Sequence, residues 1–112
     1  MANYKDGIIR DGSMPGTGKP LGNIKGGIIR DGSAPGTGKP FGNIKDGIIR
    51  TGSTPGSGTP ILNVKDGTVR KGSALGTGNT VGTVKACAIK GMERELDAAI
   101  VAAYHFCVKK LV

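Results

Sequence analysis

This chain is poor in the side chains that most often build cores and active sites. There is no tryptophan, and the aromatic residues are Tyr4, Phe41, Tyr104 and Phe106. A core must therefore come from Ile, Val, Leu and Ala. Histidine occurs once, at His105, and cysteine twice, at Cys87 and Cys107. Two cysteines are too few for a disulfide framework. There is no second histidine, and no second cysteine near Cys107, to give metal-ligand spacing. Long apolar runs are also missing. The longest nearly apolar stretch is Ala98 to Val108, interrupted by His105, well short of the roughly 20 residues of a spanning helix. The opening MANYKDGIIRDG has no basic segment followed by an apolar one, so no signal peptide is read there. These features point to a cytoplasmic protein with reduced thiols and no membrane contact.

Glycine is abundant, at 21 of 112 residues. Positive charge is in excess as well, with a formal net charge of +8. It is spread along the chain rather than gathered in a tail: residues 1–82 carry eleven Lys or Arg against five Asp, and residues 83–112 carry five against three acids. Such a balance is compatible with nucleic acid or another polyanion as a partner and does not demand one.

The organising feature is an internal repeat. Four gapless units of 20 residues follow one another: NYKDGIIRDGSMPGTGKPLG (3–22), NIKGGIIRDGSAPGTGKPFG (23–42), NIKDGIIRTGSTPGSGTPIL (43–62) and NVKDGTVRKGSALGTGNTVG (63–82). A partial unit, TVKACAIKG, covers 83–91 before the pattern changes. Within each unit an apolar residue (Tyr4, Ile24, Ile44, Val64) precedes an Asp-Gly or Gly-Gly pair, which suits a two-residue hairpin turn. A β-branched strand follows, as in Ile28-Ile29-Arg30. Gly and Pro then make a longer loop that returns to the next unit.

The fold expected is mainly β with one α-helix. The repeats of 1–91 form an antiparallel meander of hairpins, solenoid-like, and the C-terminal helix of 92–112 packs on one face within the same domain. A parallel solenoid, with one coil per unit, is the alternative. Adjacent strand residues point to opposite faces, so Ile28 and Ile29 cannot share a core. By the same count Phe41 and Ile44 fall on opposite faces. Both faces then carry apolar side chains and need cover. Leu96, Ile100, Tyr104, Cys107 and Val108 are the candidate core or oligomer residues of a helix read over 92–110. The second apolar face points to a homo-oligomer or an unidentified protein partner.

Three sets of residues invite a chemical reading. PGTGK at 15–19 and 35–39 resembles the Walker A loop of AAA-type ATPases. However, Ser13 stands at the first glycine, Pro20 at the hydroxyl residue, and no helix start follows. Arg10, Arg30, Arg50, Arg70, Lys25 and Lys45 recur at fixed places and could form ladders that follow a phosphate backbone, although no aromatic residues interleave for base stacking. Glu93 and Asp97 share a helix face at i, i+4, but His105 lies two turns beyond Asp97, too far along one helix for acid–base chemistry with them. No catalytic, cofactor-binding or metal-binding residue is therefore assigned. The expected role is a non-enzymatic structural or protein-interaction module, with polyanion binding as the alternative.

The units of the NIKDGIIRDGS…GTGKP type, closed by IKGMERELDAAIVAAYHF, resemble an uncharacterised bacterial family of small proteins with tandem 20-residue Gly-rich repeats and a C-terminal helix. The resemblance spans essentially the whole chain and implies no activity.

Overall fold

The computed structural model describes residues 2–112. Nine strands form one sheet in sequence order: β1 (Ala2–Lys5), β2 (Ile8–Asp11), β3 (Lys19–Lys25), β4 (Ile28–Arg30), β5 (Pro40–Lys45), β6 (Ile48–Arg50), β7 (Pro60–Lys65), β8 (Thr68–Lys71) and β9 (Asn79–Thr83). Every neighbouring pair is antiparallel. The fold is thus the meander, not the parallel solenoid. The long axis of 37 Å is about what nine strands spaced 4.7–4.9 Å apart should span.

The short turns are of type I′. Asp6 and Gly7 have φ of 53° and 85°, and Asp46 and Gly47 of 52° and 78°. Both central residues of this turn need positive φ, which lets its twist match that of the flanking strands.

Cross-strand partners share a face. Ile9 lies opposite Tyr4 and Gly22, Ile29 opposite Ile24 and Gly42, Ile49 opposite Ile44 and Leu62, and Val69 opposite Val64 and Gly82. This row is the core. Ile9, Ile29, Ile49, Leu62 and Val69 are fully buried, each contributing about 1.5–3 kcal/mol of transfer free energy. Ile8, Ile28 and Ile48 lie on the other face and are half-buried.

One expectation fails for a local reason. Each long return carries a register shift, for instance between Ile29 and Arg30, where Ile29 pairs with Gly42 and Arg30 with Pro40. Phe41 is the extra residue of a β-bulge. An inserted residue resets the alternation, so Phe41 packs against the same core as Ile44, as do Leu21, Ile61 and Val81.

After Thr83 the chain leaves the sheet. Val84 N–H still donates to Gly67 O at 3.0 Å, the bond that Ile24, Ile44 and Val64 make to the turn before them. A 3₁₀ turn over Lys85–Cys87 then replaces the next hairpin. The segment 84–92 buries Cys87, Ile89 and Met92 in the core and reaches the opposite edge. There Lys90 pairs with β1: Tyr4 N–H donates to Lys90 O at 2.7 Å and Lys90 N–H to Ala2 O at 3.3 Å. The strap therefore covers part of an otherwise open strand edge.

The helix is shorter than the 92–110 expected. Helix α1 spans Asp97–Ala103 and continues as one π-helical turn, Tyr104–Val108. Residues 92–96 form turns, because Met92 must enter the core from a strap whose Gly91 has φ of 100°. The Glu93 carboxylate accepts from Gly91 N–H at 2.6 Å. Leu96 is consequently the extended residue before α1 and is 74% exposed, not a core residue. Ile100, Val101, Ala102 and Ala103 are buried against the sheet.

Candidate functional site

The loops between hairpins form the most regular surface of the molecule, and one buried asparagine per unit builds each of them. Asn3, Asn23, Asn43 and Asn63 are all 0% exposed. Asn43 is typical. Its Nδ2 donates to Gly52 O at 2.9 Å and to Ser57 O at 3.0 Å, while its Oδ1 accepts from Gly56 N–H at 2.9 Å. Asn3 binds Gly12 O, Thr17 O and Gly16 N–H at 3.0 Å each. Asn23 and Asn63 repeat the set with their own loops. Both amide donors are used in every case, so a buried polar group carries its own compensation.

The Pro-Gly pair makes the tip of the loop. Thr17 N–H donates to Met14 O at 3.1 Å, closing a four-residue turn, and Gly16 has φ of 82°. Proline at the second position and a positive-φ glycine at the third define a type II turn. The Thr17 hydroxyl donates to the same carbonyl at 2.7 Å. Thr37, Ser57 and Thr77 repeat this bond.

This geometry answers the resemblance to a phosphate loop. A phosphate site needs free backbone N–H groups, yet Gly16 N–H is taken by Asn3 and Thr17 N–H by Met14 O. In the second unit Lys39 N–H is taken by the Asp31 carboxylate at 2.7 Å. The PGTG stretch is a clasped turn.

The clasps also settle what covers the second face. Asn3 shares a face with Arg10 and Lys5 with Ile8, so each loop folds back under the side of the sheet away from α1. Neighbouring units interlock there: a methyl built on Gly7 would lie 3.2 Å from Pro35 Cγ, and one on Gly27 3.7 Å from Pro55 Cγ. The face that suggested a second subunit is thus lined by the chain's own loops.

The two basic ladders differ. Lys25 and Lys45 are exposed, as are Lys5 and Lys65. Their stems lie along their own loops, with Lys45 Cδ 3.0 Å from a methyl built on Gly56 and Lys25 Cδ 3.4 Å from one on Gly36. Arg10, Arg30, Arg50 and Arg70 are half-buried. Arg70 donates to Gly78 O at 3.4 Å, and Arg10 Nε is shielded from solvent without a partner. The lysines are the freer row.

Of the remaining candidates, Ile100 is buried, Tyr104 and Cys107 are half-buried and Val108 is 40% exposed. Burial pushes the Cys107 thiol up to about 12 and raises Cys87 as well, so neither is poised as a thiolate. Among the described residues no three His, Cys, Asp or Glu are close enough to hold a metal ion. No described helix is long and apolar enough to cross a membrane.

In the sequence the four asparagines read only as polar neighbours of an apolar strand residue. Their signal was recurrence at 3, 23, 43 and 63, with Thr at 83 where no loop follows. Comparison of the chain with protein-family models, curated proteins and solved structures found no match.

Proposed function

We propose that this protein is a non-enzymatic structural or protein-interaction module of the cytoplasm whose working surface is the row of clasped loops. The observation that carries this reading is the fourfold recurrence of one loop, held by the same three asparagine hydrogen bonds in each unit. Successive loops are two strands apart, about 9–10 Å. A rigid array of equal patches suits multivalent contact better than one asymmetric reaction centre.

A second copy of the chain is the first partner to test. The residues before each turn proline or leucine, Met14, Ala34, Thr54 and Ala74, are exposed. Replacing all four by Glu should leave the fold intact and lower the mass seen in sedimentation velocity. A wild-type chain that sediments as a monomer would remove the homo-oligomer and leave a separate protein partner.

The exposed Lys5, Lys25, Lys45 and Lys65 row supports a second reading, polyanion binding. A gel-shift series across salt separates the two. Duplex binding through several lysines weakens steeply with salt, and Lys25→Gln with Lys45→Gln should flatten that slope by about 2. No shift at low salt sinks this reading.

A further inference from the structure

The repeat is broken at one place where the C-terminal segment meets the sheet. A groove of about 410 Å³ opens there between Phe41, Ile61 and Phe106, with Thr51, His105 and Lys110 around it and Val112 at the rim. That volume lies within the range of small-molecule sites. The Phe41 and Phe106 rings are parallel, with centroids 6.2 Å apart, and form an apolar wall.

Each polar side chain around this wall can donate a hydrogen bond. Leu111 N–H donates to His105 Nδ1 at 2.9 Å. An imidazole nitrogen that accepts carries no proton, so the ring proton sits on Nε2. His105 is 5% exposed, and burial, then the nearby Lys110 charge, lowers its pKa and keeps the ring neutral. Nε2 has no hydrogen-bond partner among the described residues. Among the described residues Arg10 Nε is the only shielded side-chain nitrogen or oxygen without one, so Nε2 keeps contact with solvent. The Thr51 oxygen accepts from Thr59 N–H at 3.3 Å, which leaves its hydroxyl proton to donate. Lys110 adds an exposed ammonium.

The third unit has also lost an acid here. The place of Thr51 is held by Asp11 and Asp31 in the first two units, and Asp31 accepts from Lys39 N–H as Thr51 accepts from Thr59 N–H. The fourth unit has Lys71 at that place, so the acid is absent from both later units, and of these four residues Thr51 is the one that borders the groove. The same unit carries Leu62 where the first two have Gly22 and Gly42.

We propose that this groove binds a small carboxylate with an aryl or short alkyl tail. The tail lies on Phe41, Ile61 and Phe106, and the carboxylate takes the Lys110 ammonium with the Thr51 hydroxyl and His105 Nε2–H as donors. This site is independent of the loop row and does not rest on the module reading.

The test is a titration of the full chain with 4-phenylbutyrate, followed by ¹H–¹⁵N NMR, beside the uncharged 4-phenylbutanol. Saturable shifts centred on residues 41, 51, 61 and 105–110 are expected, with a Kd of about 1 mM or tighter. The alcohol should bind about tenfold more weakly, as should Lys110→Gln. Thr51→Asp restores the acid of the earlier units at an exposed position where the backbone already accommodates it, and it should abolish binding. Equal binding of acid and alcohol overturns the proposal. So do shifts centred elsewhere, the absence of saturation, or unchanged affinity in Thr51→Asp when its spectrum shows the native fold.

Discussion

The two faces of the sheet are closed by different physics. On one, four asparagines hold four loops through hydrogen bonds to residues 9, 13 and 14 positions ahead. Each clasp is local and repeated. On the other, a single strap and helix bring residues from the far end of the chain onto the first units. A methyl built on Gly22 would lie 2.7 Å from Cys107 Sγ, and one on Gly42 would lie 2.5 Å from Phe106 Cζ. Those two glycines are bare so that the end of the helix can approach; Leu62, in the third unit, instead fills the core. A local polar clasp can be copied with the repeat, because each copy satisfies itself. An apolar cover cannot, since one helix must meet four units at once and each unit sees a different part of it.

That contrast can be broken from either side. The largest effect should follow Val101→Asp. Val101 is 0% exposed under the sheet, and an unpaired buried charge costs at least about 4 kcal/mol, a large share of a small domain's stability. Circular dichroism should show an unfolded chain at 25 °C. A native melt would mean that the loop face alone holds the sheet.

Asn43→Asp comes next. It removes two donors and sets a carboxylate against the carbonyls of Gly52 and Ser57, a loss of about 3 kcal/mol. Hydrogen exchange should show the damage concentrated at residues 52–57. Uniform loss of protection would deny that each clasp is a local unit.

The pH dependence of the helix end is smaller. His105 has a folded pKa below its ordinary 6.5, from burial and then from Lys110. The unfolded chain therefore binds its proton first. The stability this group contributes is full above about 6.5 and is lost as pH falls from there toward the folded value. His105→Gln should melt with a shallower pH dependence than wild type over that window. Parallel profiles would place the titration elsewhere.

The smallest change should be a gain. Leu75 stands where three units have proline in the type II turn, and Gly76 keeps φ of 75°. Leu75→Pro should stabilise by about 0.4–1 kcal/mol, raising Tm by a few degrees. A lower Tm would show that the contact of Leu75 with Gly47 outweighs the stiffer turn.

The hairpins were legible because their signals are short-range. Asp-Gly pairs between β-branched residues specify a turn and a local register, and the signal recurs in each unit; the choice between meander and parallel solenoid came from the strand pairing. The helix was half-legible. Its apolar middle, Ala98 to Ala103, is where periodicity placed it. Its start was not, since Met92 has helix-forming neighbours yet is drawn into the core by the strap. Phe41 misled the face count because a bulge leaves no mark in composition. The groove was invisible in sequence, as its walls come from residues 41 to 112.

The amino-acid sequence by itself determined the repeat, the turns and the existence of one terminal helix. All depend on interactions within about 20 residues of the chain. Tertiary structure alone decided that the loops fold under the sheet and close the second face, that Lys90 covers part of the first edge, and that His105 and Lys110 line one groove with the third unit's threonine. The reason is distance along the chain. Local sequence sets backbone conformation, but which side chains meet across a face depends on where the whole sheet places them.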